Sequence, residues 1–145
     1  LKMIEYQNIL DKNMLNVLKD ILINIRDKGL SSNNHLYVTF STNHQNVELP
    51  NWLRQKYPEE MTIVIQYEYY DLEINKNNFS ISLSFNDIKT NLKIDYNSII
   101  SFADPSANFG LILQKNKVQK KVNKKVEKKK SNKNNVINFS NYKKN

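Results

Sequence analysis

Apolar residues recur at helical spacing from about Ile4 to Lys28. They lie three or four positions apart, which predicts a helix with one buried face made of Leu10, Met14, Val17, Leu18, Ile21, Leu22 and Ile25. Gly29 follows, where a left-handed residue would end the helix. Leu15 and Ile23 lie off this stripe, and two interpretations stay open: ordinary exposed apolar residues, or a second contact face for a homodimer.

Beyond residue 34 the pattern changes to alternation, which is typical of strands. The stretch MTIVIQYEYYD, Met61 to Asp71, predicts one central strand, buried on both faces at Ile63–Ile65 and on one face afterwards. The stretch FSISLSF, Phe79 to Phe85, places its apolar residues on one face and its serines on the other. Further short strands are predicted at 35–41, 91–95 and 109–113.

These elements amount to one long helix and then about five short strands with polar turns between them. A short helix is predicted at Asn51–Tyr57, because Pro50 suits a first turn and Pro58 ends it. Short antiparallel strands favour a small closed or half-closed β-barrel, since closure removes exposed strand edges. The predicted fold class is therefore mainly β with an N-terminal α-helix, and an open α+β sheet is the alternative.

Charge divides the chain at about residue 113. Residues 1–113 carry 10 Lys and Arg against 13 Asp and Glu, a net charge of −3, whereas residues 114–145 carry 12 Lys and one acid, a net of +11. The second part has too few apolar residues to form a core and is predicted to be a disordered tail. We therefore expect a domain at 1–113 (helix 4–28, barrel 35–113), a Lys/Asn-rich linker at 114–135 and a short docking motif at 136–145, where apolar residues return. The alternative is that these apolar residues occur by chance in a disordered end.

The residue inventory argues against an enzyme. Cysteine is absent, His35 and His44 are the only histidines, and the chain has two glycines and no phosphate-binding or nucleophile motif. We expect no metal, no cofactor and no catalytic residue. Since the sequence contains neither a membrane-spanning run nor a signal-peptide core, the expected location is the cytoplasm, without a membrane partner.

Two kinds of binding protein remain. Twelve lysines in the tail would suit nucleic acid, but residues 1–113 are acidic and the tail has no arginine and no aromatic residue before Phe139, which disfavours a nucleic-acid partner. A peptide partner fits residues 1–113 better. A strand edge can pair with an extended peptide, and the small Ser82 and Ser84 would leave room for it.

Three stretches resemble one family: YPEEMTIVIQYEYYDLEI, FSISLSF and FADPSANFGL. Together they resemble the alpha-type branch of stringent starvation protein B, the SspB adaptor of the ClpXP protease. The resemblance runs from about Met3 to Leu113, and the end VINFSNYKK resembles the C-terminal motif of that branch. It implies an Sm-like or SH3-like small barrel, a homodimer formed through the helix, a groove for the ssrA degradation tag, and a tail that docks on the ClpX N-terminal domain. An Sm-like RNA-binding protein with a basic tail is the alternative.

The resemblance also assigns residues to each role. Peptide binding would fall to two strands, with Gln66 bonding to peptide amides: Gln66, Glu68, Tyr70, Ser82, Leu83, Ser84, Phe85 and Asn86. Docking on the protease would use apolar anchors and a cationic end: Val136, Ile137, Phe139, Tyr142, Lys143 and Lys144. The dimer interface would lie on the helix: Leu15, Val17, Leu18, Ile21 and Leu22.

Overall fold

The computed structural model describes residues 3–113. Two α-helices and seven strands follow one another in these residues: α1 Tyr6–Lys28, β1 Leu36–Ser41, α2 Asn51–Lys56, β2 Glu60–Ile65, β3 Tyr70–Ile74, β4 Asn78–Phe85, β5 Ile88–Asp95, β6 Ile99–Asp104 and β7 Phe109–Ile112. Short 3-10 turns at Tyr96–Ser98 and Pro105–Ala107 flank β6. The predicted linker at 114–135 and docking motif at 136–145 lie outside the described residues.

The seven strands form two antiparallel sheets. One has the order β2-β1-β6-β7 and the other the order β3-β4-β5. The segment before α2 also meets the second sheet, because Glu48 and Lys93 exchange backbone hydrogen bonds of 2.9 and 3.0 Å. The prediction of a mainly β domain with an N-terminal helix is confirmed, although about five strands were expected.

Helix α1 packs on the sheets along part of the predicted stripe, whereas Leu10 and Val17, which were expected on its buried face, are exposed. Met14, Leu18, Leu22 and Ile25 recur every third or fourth residue and are all buried. Gly29 ends the helix with a φ of 81°, and its N–H donates to the Ile25 carbonyl at 2.9 Å. A residue with a side chain would be strained at this φ, so glycine suits the position. The helix begins at Tyr6, two residues later than predicted.

The predicted central strand at 61–71 is wrong in two respects. It is divided into β2 and β3 by a bend at residues 66–69, where Tyr67 takes a left-handed conformation with a φ of 38°. Asp71, with a φ of 55°, lies within β3, where the pairing with β4 shifts register. Such φ values interrupt an extended strand. Strand β2 is also the end strand of its sheet and is buried on one face alone, since Ile63 is buried and Val64 is 38% exposed.

Strand β4 is the middle strand of the second sheet and is buried on both faces along most of its length. Phe79 and Ile81 lie in the core as predicted, but Ser80 and Ser82 on the other face are buried too. Of the two serines expected to leave room for a peptide, Ser84 is exposed and Ser82 is buried. A two-residue turn joins β4 to β5, and both of its residues have positive φ, as hairpins of this type require.

Candidate functional site

A cleft of about 460 Å³ opens where β2 ends, beside the bend at 66–69 and the end of β4. We call it the β2 cleft. Its walls combine apolar, hydroxyl and amide side chains with one carboxylate, and its lining residues are Thr62, Ile63, Val64, Gln66, Tyr67, Glu68, Leu83, Ser84 and Phe85. Because the two walls belong to different sheets, the fold rather than local sequence brings them together.

Five of the eight residues predicted for peptide binding line this cleft: Gln66, Glu68, Leu83, Ser84 and Phe85. The structure places the other three elsewhere. Tyr70 is paired with Lys89, whose Nζ lies 4.5 Å from the ring centroid. Ser82 is buried and accepts a hydrogen bond of 2.9 Å from Asn91 Nδ2. Asn86 lies in the β4–β5 turn, next to the cleft residue Phe85 but outside the lining.

Sequence reasoning missed four lining residues: Thr62, Ile63, Val64 and Tyr67. The sequence predicts Val64 as a core residue, like Ile63 and Ile65. Strict alternation would have placed it outside, because Ile63 and Ile65 on either side are buried. Tyr67 had been placed within a continuous strand, and no Gly, Pro or Asn marks the bend that exposes it.

The backbone of β2 has one free edge. Thr42 N–H donates to the Glu59 carbonyl at 3.0 Å, in the same register that pairs Val38 with Ile63. Hydrogen-bonded pairs alternate with non-bonded pairs in an antiparallel ladder. Ile63 therefore bonds to β1, whereas the N–H and C=O of Val64 point away from β1.

Thr62 has the same outward orientation. Its Oγ1 lies 2.7 Å from Thr39 Oγ1, which agrees with a non-bonded pair, where facing side chains approach most closely. Within residues 3–113, β1 is the one strand that pairs with β2. The outward groups of Thr62 and Val64 are thus presented along the edge of the cleft, in the arrangement that accepts an added strand.

Gln66 follows directly after this edge. Its Nε2 lies 3.4 Å from His35 Nδ1, a long contact that places the amide at the start of β1. The His35 ring in turn meets Tyr37 edge to face, with centroids 5.6 Å apart. The Gln66 amide is therefore positioned by neighbours while it lines the cleft, as a group that both donates and accepts hydrogen bonds.

A second cleft, of about 350 Å³, lies between α1 and the β3–β4 turn. Its lining is rich in lysine and asparagine, and Lys19 Nζ lies 4.6 Å from the Tyr96 ring centroid. Burial raises the pKa of Tyr96 to about 12, because loss of hydration disfavours the phenolate. None of the residues predicted for peptide binding lines this cleft.

The helix residues predicted for the dimer interface differ in how far they are buried within the protomer. Leu18 and Leu22 are fully buried in the core of the protomer and expose no surface there to a partner. Leu15 and Ile21 are partly buried against that core, and Val17 is exposed. The homodimer itself stays a prediction. Other exposed apolar residues lie towards the start of the helix: Met3, Ile4, Tyr6, Ile9 and Leu10.

Among residues 3–113, no group of three or more His, Cys, Asp or Glu side chains is placed to hold a metal ion. Neither helix in this part of the chain is long and apolar enough to cross a membrane.

A helix that precedes two small antiparallel sheets, with a cleft at a free strand edge, defines a mainly β domain suited to binding. The model of the SspB family, described as stringent starvation protein B, matches residues 9–145. The chain belongs to this family. A search of curated proteins finds no match. Family membership supports a role as a proteolysis adaptor, which agrees with the expectation of a binding protein.

Proposed function

We propose that the protein binds ssrA-tagged polypeptides in the β2 cleft and delivers them to the ClpXP protease. The observation that carries this proposal is the free edge of β2, where the backbone groups of Thr62 and Val64 point out beside the cleft. An extended tag would pair with that edge as an added strand. Such pairing supplies affinity through main-chain bonds and leaves selection to the side chains around it.

The other cleft residues suit a peptide that lies along this edge. Gln66 would bond to a peptide amide, since its side chain offers both a donor and an acceptor. Leu83 and Phe85 would provide apolar contacts from the opposite wall, and the small Ser84 between them leaves space for the peptide. This assignment keeps five of the eight predicted residues and adds Thr62 and Val64 through their backbone.

Delivery requires no chemistry from the protein itself. The predicted linker, residues 114–135, has 22 residues, and a flexible chain of that length spans about 25 to 30 Å. The apolar residues Val136, Ile137 and Phe139, with Tyr142 and the terminal lysines, would dock on the ClpX N-terminal domain. Tethering then raises the local concentration of the tag at the protease to about the millimolar range. A homodimer would add avidity through its second tail.

A titration of tag peptide measures the capture step. A fluorescein-labelled ssrA-type peptide should bind saturably, and Gln66→Ala should weaken it by roughly five- to tenfold, the cost of about one net hydrogen bond. Gln55→Ala, which removes an exposed amide from α2, is the matched control and should bind normally. Equal affinity of Gln66→Ala and wild type, with both proteins folded, would remove Gln66 from the site.

Truncation separates capture from delivery. A chain that ends at Asn135 should keep the tag affinity of the full chain but lose enhanced degradation of a tagged reporter by ClpXP. Unchanged degradation would contradict the tethering model. A parallel RNA titration at two salt concentrations tests the alternative function, because steeply salt-dependent RNA binding without peptide binding would favour an RNA-binding protein.

A further inference from the structure

The charge of the β2 cleft is carried by a single side chain. Of the residues that line it, Glu68 alone is ionisable to an anion at neutral pH and none is cationic. The carboxylate is exposed. Within residues 3–113 the ion pairs are Arg26–Asp27 and Lys89–Asp71, so Glu68 has no cationic partner in the described part. A ligand in the cleft therefore meets one negative charge that no side chain among residues 3–113 neutralises by an ion pair.

Tyr67, the neighbour of Glu68, has an unusual conformation. Its φ of 38° lies in the left-handed region, which costs a residue with a large side chain about 1 to 2 kcal/mol. The side chain is 73% exposed, so it gains little packing within the protomer in return. Strain of this kind without local compensation is typical of functional positions. Tyr67 and its neighbour Glu68 both line the cleft.

A similar pair, a tyrosine followed by an acidic residue, binds a lysine elsewhere in the molecule. Tyr70 and Asp71 are consecutive, like Tyr67 and Glu68. Lys89 Nζ lies 4.5 Å from the Tyr70 ring centroid and 3.8 Å from Asp71 Oδ2. An aromatic ring and an adjacent carboxylate thus hold an ammonium group at the start of β3, by cation–π attraction and ion pairing together.

We propose that Tyr67 and Glu68 form a second aromatic–acid pair that binds a lysine or arginine side chain of the peptide in the β2 cleft. This inference rests on the proposed function and adds the class of sequence that the cleft selects. The preferred ligand is an extended peptide with a basic residue at the position that faces the bend at 66–69. An acidic residue at that position is disfavoured by repulsion from Glu68.

Matched peptides test the selection. Tag peptides with Lys, Gln or Glu at one scanned position are titrated against the full chain by fluorescence anisotropy at about 50 mM and 500 mM salt. At one position, the Lys peptide should bind about fivefold more tightly than the Gln peptide at low salt, and the Glu peptide more weakly than both. The Lys preference should shrink at high salt, because the carboxylate is exposed.

Variants attribute the preference to the pair. In Glu68→Gln, the affinity for the Lys peptide should exceed that for the Gln peptide only about twofold, the part that the cation–π contact with Tyr67 would supply. Tyr67→Leu should reduce this affinity ratio as well. Glu73→Gln, which neutralises an exposed acid on β3 outside the cleft, should leave the ratio unchanged. Two results would overturn the inference, provided that the Gln peptides still bind. One is a fivefold preference for the Lys peptide that persists in Glu68→Gln, and the other is no preference for Lys at any position in wild type. Failure of every peptide to bind overturns the proposed function and the inference with it.

Discussion

Proline at position 64 tests the strand-edge mechanism directly. The N–H of Val64 points away from β1, so Val64→Pro removes a donor that the β1–β2 ladder does not use. Proline fixes φ near −65°, which an edge strand tolerates when the missing N–H faces outward. Because Val64 is 38% exposed and its neighbours Ile63 and Ile65 keep their bonds, the loss of stability should be below about 1 kcal/mol.

The effect on peptide binding should be much larger. The variant loses one backbone hydrogen bond, worth about 0.5 to 1.5 kcal/mol net, and the ring occupies the space that a paired peptide carbonyl would need. We therefore expect tag affinity to fall by at least about tenfold. Val64→Ala is the matched control, since it keeps the N–H and should retain most of the affinity.

The assay combines anisotropy titration with thermal unfolding of each variant. Ile63→Pro provides the opposite case, because it removes a donor that does bond to β1 and disturbs a buried residue, so it should unfold the domain. Amide exchange adds an independent measurement: the Val64 N–H should exchange quickly in the free protein and slowly with tag peptide bound. A folded Val64→Pro variant that binds tag as tightly as wild type would refute pairing with β2.

Three further predictions concern stability and assembly. Tyr67→Gly should leave the free energy of unfolding unchanged or raise it by up to about 1 kcal/mol, because glycine accepts the φ of 38° without strain. Chemical denaturation measures this free energy, and a clear decrease would contradict the prediction. Leu18→Ala should cost about 2 to 5 kcal/mol in the core, whereas Val17→Asp should leave the protomer folded and weaken any dimer seen by sedimentation. Since the pKa of Tyr96 is raised to about 12 in the folded state, its contribution to stability is complete below about pH 10 and is lost as pH rises through 12. Alkaline difference spectra of wild type and Tyr96→Phe should show one late-titrating tyrosine, and equal spectra above pH 11 would contradict this.

The helix and the strand alternation were predictable because burial in them follows a simple period. The α1 stripe through Met14 and Ile25 has helical spacing, and Gly29 marks its end by the conformation that only glycine adopts without strain. The apolar face of β4 was equally regular. Period alone does not say what covers the opposite face, and for this reason the burial of Ser82 was missed.

The burial of individual helix residues was hard to predict for a related reason. The spacing of apolar residues along a helix does not distinguish those that pack within the protomer from those that contact a partner. Leu18 and Val17 are adjacent in sequence and both apolar, yet one is fully buried and the other is 39% exposed. The direction of each side chain relative to the sheets decides between them, and this depends on how the sheets are assembled.

The bend at 66–69 forms part of the candidate site, and no feature of the sequence indicated it. The alternation in QYEYYD is typical of a strand, so local preference favours continuation, whereas Tyr67 adopts a left-handed conformation that interrupts it. A continuous strand would carry Tyr67 and Glu68 onward in the direction of β2. The bend instead starts β3 in the second sheet and leaves the edge of β2 without a described partner. Backbone strain at Tyr67, the free strand edge and the exposed aromatic–acid pair are therefore consequences of the same interruption, which explains why all three lie at one cleft.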